Sequence, residues 1–222
     1  MKYSHPEIET VLDTENGCFN TLVVESQDFL VRLLEDICDQ INGKDGISVL
    51  SENDRIIAFS KRAMLLDTFV PFDVNRKFLI GKIISAMEKK ANEPEMFEKT
   101  AGILASVENF LDSLNLEIPC EIVYNEISVS SLLKAAGLQL KTEDQRLPEK
   151  LLNFMELMTE YDTERLFVLV NIRSYISDED MEIMAKDIVS HGYHVIDLES
   201  TERRRLNNEF RVLIDKDLCE IV

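Results

Sequence analysis

The chain has 222 residues, 45% of them hydrophobic, enough to bury one large core with or without a smaller inserted domain and too apolar for wholesale disorder. No apolar run reaches the ~18 residues of a membrane span, the first ten residues lack a secretory h-region, and Cys18, Cys38, Cys120 and Cys219 form no C-x-x-C pair, so a cytoplasmic protein with reduced cysteines and no membrane association is expected. With 24 Lys and Arg against 42 Asp and Glu, the net charge is −18, which repels nucleic acid at long range.

The first regular element expected is a strand over residues 19–25, followed by a helix capped at Ser26 with Leu30, Leu33, Leu34, Ile37 and Ile41 on one face. Asn42-Gly43 ends it, and short apolar runs at 47–50, 55–59 and 63–66 read as buried strands. After Phe72-Asp73 the period becomes helical. Ile80, Ile83, Ile84, Met87 and Ala91 mark one helix, and Met96, Ile103, Leu104, Val107, Phe110, Leu111 and Leu114 mark a second after the break at Pro94. Residues 116–124 are irregular, a third helix over 127–136 stops at Gly137, and Leu138-Gln139-Leu140 alternates as a strand does.

From Pro148 the pattern returns to α/β. A helix buries Leu151, Phe154, Met155 and Met158, and the continuous apolar run 166–170 suits a strand covered on both faces. Ser177 starts a helix that Gly192 ends, and residues 195–198 form the next strand. The expected architecture is α/β: a mostly parallel sheet from residues 1–73 and 147–222, with a helical insertion at 74–146.

Motifs for nucleotide chemistry are missing. Gly43-Lys44 and Gly81-Lys82 are the Gly-Lys pairs of the sequence; neither has a Gly five residues earlier or a Ser or Thr after it, so no phosphate-wrapping loop is encoded. The run 63–67 resembles a Walker B strand ending in Asp67, a common pattern by itself. His191 and His194 lack an evident third metal partner and read as an exposed and a strand-facing residue. No bound nucleotide and no catalysis are expected, with an NTPase the lesser alternative.

The charge distribution is more informative than its sum. Residues 74–91 hold Arg76, Lys77, Lys82, Lys89 and Lys90 against Glu88 alone, +4 in a chain whose remainder is −22. On a helical wheel Lys89 lies about 20° and Lys90 about 80° from Lys82, opposite the apolar positions 80, 83, 84, 87 and 91. Such a face is either simply solvated or a phosphate contact. Arg203-Arg204-Arg205 is a second basic run with the same two readings.

Several blocks together resemble the small adaptation protein of type II-A CRISPR systems, the Csn-two family. The blocks are FDVN at 72–75, ISVSSLLKAAGLQL at 127–140, LFVLVNIRSYISDED at 166–180, and Asn208-Glu209-Phe210 followed by DLCEIV, similar to the family's last helix and strand. The likeness runs from about Phe19 to the end; the residues before it do not match clearly. It implies a RecA-like head without a working nucleotide site and a helical leg domain. It also implies a homotetrameric ring that takes double-stranded DNA ends into a lysine-lined channel during spacer acquisition. Two integrase proteins and the type II effector nuclease would be partners, and calcium would support the ring. Under that resemblance Lys134 and Lys141 join Lys82, Lys89, Lys90, Arg76 and Lys77 as DNA contacts. The acidic cluster expected ahead of residue 127 is thinned to Asp112, Glu117, Glu121 and Glu126, the candidate calcium ligands.

Overall fold

A computed structural model of the chain describes residues 1–116, 118–120, 122–142 and 144–222. In chain order the elements are β1 (Lys2–His5), β2 (Ile8–Asp13), β3 (Phe19–Val24), α1 (Gln27–Ile41), β4 (Val49–Glu52), β5 (Arg55–Ile57), α2 (Phe59–Arg62), β6 (Ala63–Leu66), α3 (Lys77–Ala91), α4 (Pro94–Asn115) and α5 (Val129–Ala135). They continue with α6 (Leu147–Tyr161), β7 (Leu166–Val170), a 3₁₀ turn at Ile172–Ser174, α7 (Asp178–His191), β8 (His194–Glu199), β9 (Glu209–Ile214) and β10 (Glu220–Ile221). They divide into two compact units, Met1–Val74 with Thr142–Val222, and Asn75–Lys141.

The first unit is built on a six-stranded sheet of order β10-β9-β3-β8-β7-β6, parallel except for β10 at one edge. Apolar side chains on both sides of β3, β7 and β8 require two covering layers. One face gives Leu22, Val24, Val168, Val170, Ile196, Leu198, Val212 and Ile214 to a core shared with Phe29, Leu33 and Ile37 of α1. On α6, Phe154 meets Phe167 of β7 edge-on at 6.3 Å and Phe72 at 5.6 Å. Phe154 is fully buried, and its truncation to Ala costs about 3–5 kcal/mol. Ser177 caps α7 by accepting from the Asp180 N–H, three acids follow in the first turn where the helix dipole favours them, and Gly192 closes the helix at φ 70°.

The structure departs from the sequence reading at four places. The N-terminal residues form a hairpin, β1–β2, and with β4 and β5 an antiparallel sheet of order β2-β1-β4-β5. The runs at 47–50 and 55–59 are therefore not buried members of the parallel sheet; β4 pairs with β1 of the hairpin, β5 pairs with β4, and Ile56 stays 79% exposed. Residues 138–140 form no strand, because the Asn75 amide takes the place of a neighbour: its Oδ1 accepts from the Leu140 N–H at 2.6 Å and its Nδ2 donates to the Leu140 carbonyl at 3.2 Å. The segment from Asn208, similar to a family helix by resemblance, is the strand β9, whose FRVLI run suits a central parallel position better than a helix.

Candidate nucleic-acid interface

The second unit carries the basic stretch. It holds eight Lys and Arg against nine Asp and Glu, a net of −1, so the first unit carries −17 of the chain's −18. In α3 the buried residues are Leu79, Ile83 and Ile84, while Ile80 is half-buried and Met87 is 41% exposed. The buried stripe is rotated from the expected one because α3 is packed by both α4 and α5. Leu79 and Ile83 sit only about 60° and 100° from Lys82 on the wheel.

That rotation changes the status of the lysines. Lys82 is half-buried, its ammonium 5.3 Å from the centre of the Phe78 ring, a cation–π contact worth about 0.5–1 kcal/mol. Lys89 and Lys90 are exposed in the last turn of α3, where the helix dipole favours cations for its own reasons. Lys77 opens the helix and is exposed; Arg76, the N-cap, is half-buried. Glu88 Oε1 accepts from the Ser130 N–H at 3.1 Å, docking the start of α5 on α3. Lys134 is exposed in the last turn of α5 and Lys141 is exposed at the end of the unit. The structure thus places Lys82, Lys89, Lys90 and Lys134 on two packed helices.

The candidate calcium ligands are less assembled. Asp112 Oδ1 accepts a 2.5 Å hydrogen bond from the Tyr124 hydroxyl, which raises the tyrosine pKa. Glu126 is exposed. Glu117 and Glu121 lie outside the described residues. Asp67 follows the edge strand β6 and is exposed.

A network that the sequence reading did not single out lies in the parallel sheet. Asp197 and Glu199, two apart on β8, are buried on one face with Thr21, Glu209, Arg211 and the side chain of Arg173. Glu199 accepts from the Arg173 N–H, Glu209 accepts from Arg211 and from the Leu206 N–H, and Arg173 and Arg211 donate to the carbonyls of Arg204 and Arg203. The backbone of the arginine run is thereby anchored, with its side chains outside. Neither carboxylate oxygen of Asp197 has a hydrogen-bond partner among the described residues. Burial, then the neighbouring Glu199, raises the Asp197 pKa well above the carboxylate range. The period-2 spacing of the two acids in an apolar strand was the available signal.

The family model for the CRISPR-associated protein Cas_Csn2 matches residues 40–218. The chain belongs to the Csn2 family. Among its relatives, the CRISPR-associated protein Csn2 of Enterococcus faecalis is 20% identical over 222 residues, covering 98% of this chain and 96% of the relative. The Csn2 protein of Streptococcus agalactiae is 25% identical over 155 residues, 69% of each. In three dimensions the crystal structure of Stu0660 of Streptococcus thermophilus superposes with a TM-score of 0.59 at 17% identity, covering 97% of this chain and 74% of that one. Csn2 proteins belong to type II-A CRISPR systems, and membership gives this chain a role in CRISPR adaptation. The family's name carries no enzymatic activity. Among the described residues no helix is long and apolar enough to cross a membrane.

Proposed function

We propose that the chain is a non-catalytic, ring-forming protein that holds the ends of double-stranded DNA during spacer acquisition. The observation that carries this reading is the segregation of charge, −17 on one unit and −1 on the unit bearing Lys82, Lys89, Lys90 and Lys134. A duplex approaching the protein is repelled by the acidic unit and is held where those lysines offer phosphate contacts. The mostly parallel sheet then acts as a RecA-like head that has lost its nucleotide site, and the helical unit acts as a leg. Arg76, Lys77 and Lys141 are further contacts in this reading. Contacts made to the backbone give little sequence preference.

A homotetramer fits the surface of α4, where Met96, Phe97, Ile103, Phe110 and Leu114 are exposed and Thr100 is the buried residue. A 22-residue helix with so many exposed apolar side chains needs further partners. Calcium, bound by oxygen ligands that include Asp112 and Glu126, would relieve repulsion between acidic subunits. The two integrase proteins and the effector nuclease are the partners this role requires.

The strongly acidic first unit also favours a second reading, an adaptor that binds proteins and has no DNA affinity. Gel shifts with linear and covalently closed duplex of equal length separate the two. Retardation of the linear form alone is expected, and retardation of neither supports the adaptor.

A further inference from the structure

In the first unit, away from the lysines, three side chains from distant parts of the chain converge. They are Glu52 at the end of β4, Glu164 two residues before β7, and His194, the first residue of β8, which pairs in register with Leu166. One ligand atom from each lies within 4.8 Å of the others. His194 is nine-tenths buried, and its Nε2 is 4.0 Å from Glu164 Oε2 with no hydrogen-bond partner among the described residues.

The hydrogen bonds around the cluster bear on the histidine's two nitrogens. The Thr14 hydroxyl donates its single proton to the Met1 carbonyl at 2.9 Å, so toward His194 Nδ1, 2.8 Å away, it can only accept. With Nδ1 carrying its proton to Thr14, the neutral form of the imidazole presents the lone pair of Nε2 to the two carboxylates. Three electron-rich atoms facing one another repel, and a cation among them relieves that repulsion. Arg62 does not fill that place. Its Nη2 donates to Glu52 Oε1 at 2.7 Å and its Nε to the backbone carbonyl of Glu164 at 2.7 Å, so it orients the Glu52 carboxylate and holds the main chain at Glu164. An N–H bond on the far side of a histidine and a second group steering a ligating carboxylate are the usual outer support of a metal ligand set.

We propose that Glu52, Glu164 and His194 form a binding site for a first-row divalent transition-metal ion of the zinc class. An imidazole and two carboxylates suit zinc, whereas calcium selects a full shell of oxygens. With zinc–ligand bonds of about 2.0–2.2 Å, an ion between Nε2 and Oε2 reaches both across the 4.0 Å gap. The Glu164 side chain is 63% exposed and can close on the ion and admit it from solvent. The bound ion ties β4 of the antiparallel sheet to the start of β7 and β8 in the parallel sheet, a structural clip with water completing the shell.

The test is equilibrium dialysis of the metal-stripped full chain against Zn²⁺, with metal analysis and with Co²⁺ as a spectroscopic probe. One Zn²⁺ per chain is expected, visible d–d absorption with Co²⁺, and a Tm raised by roughly 5 °C at a hundredfold excess over Kd. Glu164→Gln, on an exposed side chain that leaves the fold intact, should weaken zinc binding at least about tenfold. His194→Ala should abolish it, while His191→Ala should leave it unchanged. Zinc binding by Glu164→Gln equal to the parent's, or no stoichiometric binding by the parent, overturns the proposal.

Discussion

The ammonium of Lys82 rests over the Phe78 ring one turn earlier on α3, whereas Lys89 and Lys90 extend freely exposed from the helix's last turn. The three lysines therefore differ in what else they do for the protein. Charge reversal at all three should abolish binding to linear duplex. It also removes a cation–π contact worth about 0.5–1 kcal/mol and sets two acids against the helix C-terminus at about 0.3–1 kcal/mol each. Lys→Gln at the same positions separates the effects: the fold stays near parental stability and DNA affinity still falls. The log–log salt dependence of binding should flatten by about 0.9 for each phosphate that a lysine no longer neutralises, multiplied by the subunits touching the duplex. A parental affinity and slope in the Gln variant, by fluorescence titration across salt concentrations, would return these lysines to a merely solvated face.

Assembly should depend on α4. Phe97 and Phe110 are 58% and 60% exposed and face no core of their own unit. Replacing both with Ser should leave the melting profile of a single chain almost unchanged and shift light scattering from tetramer toward smaller species. Excess chelator should move the parent in the same direction if calcium bridges acidic subunits, and Asp112→Asn with Glu126→Gln should remove that response. A parent that is monomeric at micromolar concentration with and without calcium contradicts both expectations.

Much of the fold was written in hydrophobic period. The strands 166–170 and 195–198, the Ser177 cap and the Gly192 stop were legible because each rests on local chemistry, and all four are present. The N-terminal hairpin was not, since four- and six-residue strands with one buried edge give a weak alternation. The exposed side of α3 was misplaced for a tertiary reason: a wheel assumes one covering neighbour, and α3 has two. The buried acids of β8 are visible only after register is known, when Asp197 aligns with Thr21 and Leu169. His194 read as a lone histidine because its partners stand 142 and 30 residues away in sequence.

The buried acid on β8 makes a prediction about pH. Asp197 is fully buried beside Glu199, with Arg173 a compensating cation and Glu209 a further acid, and its pKa lies well above the carboxylate range. Protonated, it can donate to Glu199, whose Oε2 otherwise has no hydrogen-bond partner among the described residues. The native state then binds a proton that the unfolded chain releases near its ordinary pKa of about 3.9. Its favourable share of stability is complete below that value and is lost as pH rises toward the folded pKa, at up to about 1.4 kcal/mol per pH unit. Asp197→Asn keeps the shape and the donor but has no proton to lose. Denaturant unfolding at several pH values between 5 and 8 should give a parent whose stability falls with pH more steeply than the variant's, with the variant equal or more stable at pH 8. Self-repulsion of a −18 chain also grows with pH, but it acts on both proteins alike, so the difference between the two curves isolates Asp197. Parallel curves would mean that Asp197 is ionised in the folded protein and balanced by Arg173 and Arg211.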